Sequence, residues 1–267
     1  MKTIILLMSC DNEFFINEEK LVKQTWLKPV IDGQYPDIDY YFYKSSDKQY
    51  IDFDNHYIYV NTPDDWISTF LKTQEALKVL NENVDFDFVV KTNLSTYINI
   101  PVINVLMQSN VLSDYKDVLF GGRLIKRDDI YYPTGSFMLF SKLLSMQIAY
   151  SKISEQREDD YIIGKILNKY KKHIFDIPNI NKSPYHRLSE IDETLYNNIA
   201  VIYRVFDFDM YDKDVSYKLR AVLETHMLNK LHKQMSKQML TPDHVMNCLN
   251  YKNTIYFEHG VGFKEII

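Results

Sequence analysis

Phe88-Val89-Val90-Lys91-Thr92-Asn93-Leu94-Ser95-Thr96-Tyr97-Ile98-Asn99 is the stretch on which the reading of this chain turns. Phe88 to Lys91 is a short apolar run without helical spacing, which predicts a strand covered on both faces. Asn93-Leu94-Ser95 then predicts a polar turn at its end. The segments on either side repeat that theme. Thr3 to Ser9 reads as a continuous buried strand, and Glu18 to Trp26 as a helix that Pro29 stops. Ile38 to Lys44 and His56 to Val60 read as strands. Pro63-Asp64-Asp65 opens a helix through Leu80, with proline and acids in its first turn as the helix dipole favours.

Downstream, Pro101 to Met107 predicts a helix, Val118 to Leu124 and Ser136 to Phe140 strands, and Ser141 a cap for a helix over 142–151. Glu158 to Tyr170 reads as a helix and His173 to Ile177 as a late strand. Strands and helices alternate up to this point, which predicts an α/β fold: a mixed, mostly parallel sheet flanked by helices. The rest has a different texture. Ile199 to Phe206 and Lys252 to Phe257 read as strands, and Val215 to Met239 as a long amphipathic helix. No Gly/Ser-rich linker interrupts the 267 residues, so the expectation is one domain, a core over 1–177 with a helical C-terminal extension over 178–267.

Composition narrows the function classes. A net charge of −5 leaves no polycationic footprint, so nucleic acid is not an expected partner, although a local basic pocket is compatible with it. Cys10 and Cys248 are far apart and lack metal-ligand spacing, and read as free thiols in a reducing compartment. The apolar run Ile4 to Met8 mimics a secretory signal, but it is too short and is followed by Asp11-Asn12-Glu13. No segment approaches the roughly 18 apolar residues of a membrane span. The expectation is a cytoplasmic protein without a transmembrane segment. The 21 tyrosines fit either sugar stacking or the codon usage of an AT-rich genome.

Ligands of open α/β sheets bind at the carboxyl ends of the strands. That rule selects Ser9 to Asn12, the Asn93-Leu94-Ser95 turn, Gly121-Gly122-Arg123, and the segment after Phe206. Gly121-Gly122 permits either a tight bend or a close approach to a ligand. Glu158-Asp159-Asp160 reads, on composition alone, first as dipole-favoured acids at a helix start. The histidines show no chelating spacing and are expected at the surface. Trp26 and Trp66 have apolar neighbours and are expected in the core.

Four ordered segments carry a family resemblance. Lys20 to Trp26 resembles the early basic-x-x-Ile-Arg-x-Thr-Trp helix of the inverting β-1,3-galactosyltransferase and Fringe-like family of the GT-A fold. Phe88 to Asn99 is similar to its strand ending Lys-Thr-Asp-Asp-Asp-Val-Phe-Val-Asn. Tyr132 to Ser141 is similar to its Pro…Gly-x-Gly-Tyr-Val-Leu-Ser strand, and Asp159 to Gly164 to its Glu-Asp-Val-Tyr-Val-Gly helix start.

The resemblance, which covers about residues 1–170, implies a hexosyltransferase of glycan biosynthesis. By that resemblance it would move a sugar from a UDP-linked or other nucleotide donor to a hydroxyl of a glycan or glycoconjugate acceptor with anomeric inversion. Asp160 maps onto the general base. On the donor side the reading places Ser9, Cys10, Asn12, Lys72, Lys91, Asn93, Leu94, Ser95, Arg123 and Arg204, and on the acceptor side Gly135, Glu158 and Asp159. Ser9 to Asn12 also reads as an ordinary strand-to-helix turn, Lys72 as a solvated charge and Arg204 as half of a structural ion pair. The family's acidic triplet binds Mn²⁺ or Mg²⁺, whereas Asn93-Leu94-Ser95 is neutral and holds a hard cation poorly.

Three readings follow from that departure. Transfer can be metal-independent with no cofactor required, relying on cationic side chains, Arg220 among them. A metal can be held elsewhere, for which Asp207 and Asp209 sit at a suitable strand end. Or the chain is a non-catalytic sugar-nucleotide or glycan-binding relative. A sugar-phosphate nucleotidyltransferase fits less well, because Ser9 to Phe15 holds no glycine for the phosphate loop.

Overall fold

The computed structural model describes residues 1–108, 119–128, 130–153, 158–168, 173–176, 202–204, 229, 232, 254–257 and 263–265. The chain begins with Thr3–Met8 (β1), Glu13–Gln24 (α1), Lys28–Ile31 (α2), Ile38–Ser45 (β2), Tyr50–Asp52 (β3) and Tyr57–Val60 (β4). Thr69–Asn83 (α3), Phe88–Asn93 (β5), Thr96–Ile98 (β6) and Ile100–Gln108 (α4) follow. Then come Leu119–Arg127 (β7), Ile130–Ser141 (β8), Lys142–Ala149 (α5), Asp159–Leu167 (α6) and His173–Asp176 (β9). Ile202–Arg204 (β10), Thr254–Phe257 (β11) and Phe263–Glu265 (β12) complete the described elements.

Ten strands form one sheet in the order β12-β11-β9-β7-β8-β5-β1-β2-β4-β3. β3, β8 and β11 run against the others, so the sheet is mixed and mostly parallel, as expected. Period-2 alternation sends Ile5 and Leu7 of β1 to one face and Ile4 and Leu6 to the other. The first face is covered by α1, α2 and α4 through Leu21, Val22, Trp26, Val30, Ile103 and Leu106. The second is covered by α3, α5 and α6 through Leu77, Leu80, Leu144, Ile148, Ile162 and Ile163. Among the described residues no helix is long and apolar enough to cross a membrane.

Several local expectations are corrected. α1 starts at Glu13, because the Asn12 side chain accepts from the Phe15 N–H at 3.1 Å and caps it. Pro29 does not end a helix there; it sits in the first turn of α2, where its missing N–H costs nothing. α3 starts at Thr69 rather than Pro63, since Asp65 accepts from the Ser68 N–H at 2.7 Å and holds 65–68 as a turn. Trp66 therefore lies outside the helix and is 68% exposed, while Trp26 is buried as expected. Ser141 precedes α5 without a capping bond from its side chain, and its hydroxyl is buried without a partner.

β3, β6 and β12 add to the expected strands, and β12 takes the sheet edge beyond β11. Of the helix expected over 215–239, Asn229 and His232 are helical and the remainder lies outside the described residues. Two histidines are not simple surface residues. His232 packs near Tyr97, with Nδ1 3.4 Å from the phenol oxygen. His56 adopts a left-handed backbone (φ 58), stacks on Tyr40 at 4.4 Å, and places Nδ1 3.3 Å from Asp39.

Gly164 lets α6 approach β8: a Cβ there would stand 2.1 Å from Tyr132 Cβ and 3.1 Å from its Cα. Gly164→Ala is expected to cost about 1–3 kcal/mol, read by chemical denaturation. The His56–Asp39 pair gives a pH signature. The Asp39 hydrogen bond raises the His56 pKa. Burial opposes ionisation of Asp39, yet the bonds from His56 and the Tyr40 N–H together hold it low. The His56 contribution is thus full below its unfolded pKa of about 6.5 and lost as pH rises through the raised folded value. His56→Asn, which tolerates the left-handed backbone, should lower the urea midpoint at about pH 5.5. The gap to wild type should narrow by about pH 8.5.

Candidate functional site

β1, β2, β4 and β5 are parallel, so their carboxyl ends share one rim. The strand order reverses at β1, whose neighbours are β2 on one side and β5 on the other. Such a reversal is where open α/β sheets form a ligand crevice. Ser9 occupies the rim at the end of β1 and is fully buried. Its N–H donates to Tyr43 O at 3.1 Å, its carbonyl accepts from Lys72 Nζ at 2.6 Å, and its hydroxyl donates to Glu19. All three polar groups of Ser9 are occupied by the protein.

Lys72 reaches that carbonyl from the first turn of α3, and its ammonium also meets Asp64 at 2.5 Å. The Asp64 carboxylate lies against Cys10 Sγ and the Asp11 N–H, so the segment before α3 is pinned over the turn after β1. Burial would raise the Asp64 pKa, but the Lys72 ammonium outweighs it and holds the carboxyl below its ordinary value. Cys10 is half-buried, and its thiol is pushed up to about 11, chiefly by burial. It is a protonated, unreactive group at neutral pH.

Lys91 continues the alternation of Val89 and faces the α3–α6 side of the sheet. Its ammonium is paired with Asp159, which also accepts from Thr73 Oγ1 at 3.3 Å. Asp159 in turn accepts from the Asp160 N–H at 3.0 Å. Asp160 itself is held by two backbone donors, Gly135 N–H at 2.9 Å and Tyr161 N–H at 2.8 Å. Burial first, then the adjacent Asp159 carboxylate, raises the Asp160 pKa against the opposing pull of Lys91. Gly135 matters here for proximity, since a Cβ on it would lie 3.5 Å from Asp160 Oδ2. Thr92 Oγ1 donates to Ser136 O at 2.7 Å, tying the end of β5 to the same stretch of β8.

The Leu94-Ser95 turn joins β5 to β6, and Asn93 closes it by accepting from Ser95 Oγ at 3.1 Å and Thr96 Oγ1 at 2.7 Å. Leu94 is buried in the core on the α1 side. β6 pairs antiparallel with β10, setting Tyr203 opposite Tyr97 and Arg204 opposite Thr96. An arginine from the C-terminal third is thereby placed next to the turn by backbone register. Arg123 follows Gly122 at an irregularity in β7. A Cβ on Gly122 would stand 2.4 Å from Phe137 O, which accounts for a glycine there by close backbone approach.

The expected site residues therefore divide. Lys72, Lys91, Asn93, Ser95, Gly135, Asp159 and Asp160 come together along the rim, with Arg123 and Arg204 brought to it by strand placement. Ser9 and Asn12 stand there too, but their side chains bond Glu19 and the α1 N-terminus. Lys72 and Lys91 are buried in ion pairs rather than lining an open groove. Glu158 is half-exposed, with Arg127 3.8 Å away. The turn's donor set is a poor fit for a divalent cation: its amide oxygen already accepts two hydroxyls, and Asn93, Leu94 and Ser95 carry no carboxylate. Among the described residues no three His, Cys, Asp or Glu side chains converge on a metal position. Asp207, Asp209 and Arg220 lie outside the described residues. A surface cavity of about 590 Å³ beside Leu143, Met146, Tyr150 and Ile166 includes none of these groups.

The Glu19 network escaped the sequence reading. Glu19 accepts from Ser9, from Lys44 at 2.8 Å and from Tyr57 at 2.5 Å. Its sign in the sequence is an acid between Phe15 and Val22 on the apolar stripe of α1, opposite a lysine ending the apolar strand β2.

No family model matches the chain, and no curated protein matches it. Solved structures similar to it include the galactosyltransferase LgtC in complex with donor and acceptor sugar analogues (13% identity, 92% of this chain and 100% of that one, TM-score 0.43). Another is a glycosyltransferase involved in glycosylating the major capsid of PBCV-1 (11% identity, 85% and 98% covered, TM-score 0.45). A third is the glycosyltransferase GlyE of Streptococcus pneumoniae TIGR4 (10% identity, 90% and 66% covered, TM-score 0.45). At TM-scores below 0.5, none of these likenesses transfers an activity or a ligand to this chain.

The Lys91–Asp159 pair makes a measurable prediction. Lys91→Met strands a buried carboxylate and is expected to cost about 3–5 kcal/mol. Adding Asp159→Asn should recover a large part of that loss in a double-mutant denaturation cycle.

Proposed function

We propose that the chain is a GT-A-like glycosyltransferase that moves a sugar from a nucleotide donor, UDP-linked by preference, to a hydroxyl of a glycan acceptor. The supporting observation is the Asp160 carboxylate. It is fixed by the Gly135 N–H at the rim where the strand order reverses, beside the buried Lys91–Asp159 pair. The resemblance of Phe88 to Asn99, Tyr132 to Ser141 and Asp159 to Gly164 to the inverting family supports the same reading.

In this mechanism the acceptor hydroxyl gives its proton to an Asp160 oxygen while its own oxygen attacks the anomeric carbon from the face opposite the diphosphate. The bond from that carbon to the diphosphate oxygen breaks, and its electron pair leaves with the nucleoside diphosphate. Asp160 keeps lone pairs for this step beyond those taken by the Gly135 and Tyr161 N–H groups. Lys91 acts indirectly, by neutralising Asp159 so that two adjacent carboxylates can coexist at the head of α6. Lys72 likewise fixes the turn after β1 on which the nucleotide rests. The neutral Asn93-Leu94-Ser95 turn favours transfer without a metal. The diphosphate charge then falls to Arg204 and Arg123, together with backbone N–H groups at the rim.

A second reading has its own observation. Both Asp160 oxygens accept backbone N–H bonds, which also suffices to pin α6 to β8 in a non-catalytic sugar-nucleotide-binding relative. Asp160→Asn separates the two. The enzyme should lose about 10²–10⁴-fold in transfer with donor affinity retained, whereas a binding protein has no turnover to lose. Because the Asp160 pKa is raised, activity should fall on acidification at a pH above the ordinary aspartate range. A thermal-shift panel of UDP-, GDP- and dTDP-sugars, with EDTA or with Mn²⁺, tests the donor and the metal together. Chelator-insensitive stabilisation by one nucleotide sugar is expected, and a strict Mn²⁺ requirement would overturn the metal-free step.

A further inference from the structure

Among the described residues Trp66 is the most exposed large hydrophobic side chain, and the mechanism leaves it unused. It is 68% exposed, and Ile67 and Leu71 beside it in sequence are also exposed. Covering an exposed indole with a flat partner gains burial energy that the free protein leaves unrealised. The turn is ordered. The Ser68 N–H donates to Asp65 at 2.7 Å, and Thr69 Oγ1 donates to the Trp66 carbonyl at 3.1 Å. Two residues earlier, Asp64 ties the segment to Lys72 at 2.5 Å and lies against Cys10 and the Asp11 N–H. Asp64 thereby holds the segment that carries Trp66, which joins β4 to α3 at the carboxyl rim, next to the turn that follows β1.

We infer that Trp66 is the stacking platform for the heterocyclic base of the donor nucleotide. The inference rests on the proposed reading, since it assigns a part of that donor to a residue of the same rim. The base is the flat aromatic portion of a nucleotide sugar, and an indole held in place stacks on it at little entropic cost. The segment 61–68 carries Asp64 and Asp65 and no basic residue, which suits it to the uncharged base rather than to the diphosphate or an anionic lipid surface.

The protein contains two tryptophans, and Trp26 is 1% exposed, so acrylamide quenching of fluorescence reports Trp66. The wild-type protein is titrated with UDP, GDP and dTDP, with inorganic pyrophosphate, with lactose, and with phosphatidylserine-containing vesicles. Binding is followed in parallel by calorimetry. The expected result is that the tightest-binding nucleotide shields Trp66 and pyrophosphate does not. Trp66→Ala should weaken that nucleotide about tenfold while Trp66→Phe retains it. The exposed position leaves the melting temperature of both variants unchanged. Nucleotide binding with Trp66 still open to quencher, or undiminished in Trp66→Ala, overturns the inference and leaves the proposed function standing. Shielding by lactose or by vesicles instead of nucleotides overturns it in favour of an acceptor or a membrane contact. Failure of all three nucleotides to bind the wild-type protein removes the proposed function and the inference together.

Discussion

Ser9 is the point at which both helical layers grip the end of β1. Lys72 arrives from α3 on one face to hold its carbonyl, and Glu19 arrives from α1 on the other to hold its hydroxyl. The strand's N–H is already spent on Tyr43, so nothing at this position is left to water. A strand end clamped from both sides cannot shift register without breaking charged hydrogen bonds in a buried setting, which is expensive. The rim at which the strand order reverses takes its local geometry from this residue.

The clamp belongs to a pattern. Three lysines buried along the rim, Lys44, Lys72 and Lys91, each pair with an acid brought by a neighbouring helix or loop: Glu19, Asp64 and Asp159. Buried ion pairs are weak contributors to net stability, and their better-attested effect is to exclude alternative arrangements. Here each pair fastens a covering segment to a particular strand end. The rim is therefore a rigid frame built from neutralised pairs, which is what a positioned carboxylate such as Asp160 requires of its support. It also follows that these lysines are committed to the frame, and that a bound anion must find positive charge elsewhere.

How much of this the sequence discloses depends on whether the signal is local. The buried strands announce themselves through Ile4 to Leu7 and Phe88 to Val90, because a parallel strand covered on both faces must be apolar throughout. The acids Asp159 and Asp160 are legible as a helix start for the same kind of reason. What the sequence conceals is competition between local bonds of similar strength. Asp64 and Asp65 have the composition of a helix N-terminus, yet one binds Lys72 and the other makes a turn, and Trp66 is left outside α3. Asn12 looks like a ligand group and is a cap. Ser9 looks like a ligand group because polar residues end strands there, and only the partner from α1 reveals that its hydroxyl is already engaged. Long-range partners leave little local trace: Glu19 shows only as an acid on the apolar stripe of α1, without naming Lys44, and the pairing of Thr96 with Arg204 shows nowhere in the sequence.

The neutral turn and the late arginine are best understood together. A turn that carried several carboxylates would repel the diphosphate unless a cation bridged them, because like charges at a few ångströms cost several kcal/mol at the dielectric of a half-buried site. Asn93 removes that requirement by spending its amide oxygen on Ser95 and Thr96, which shapes the turn without charging it. The β6–β10 ladder then sets Arg204 beside the same turn. A three-residue antiparallel pair is marginal by itself, but Tyr97 and Ile98 of β6 are buried in the core and anchor it. Under the proposed function, positive charge that a metal ion would otherwise supply comes from the chain, delivered by strand pairing. The neutral turn and the distant arginine are then one electrostatic arrangement rather than two separate features.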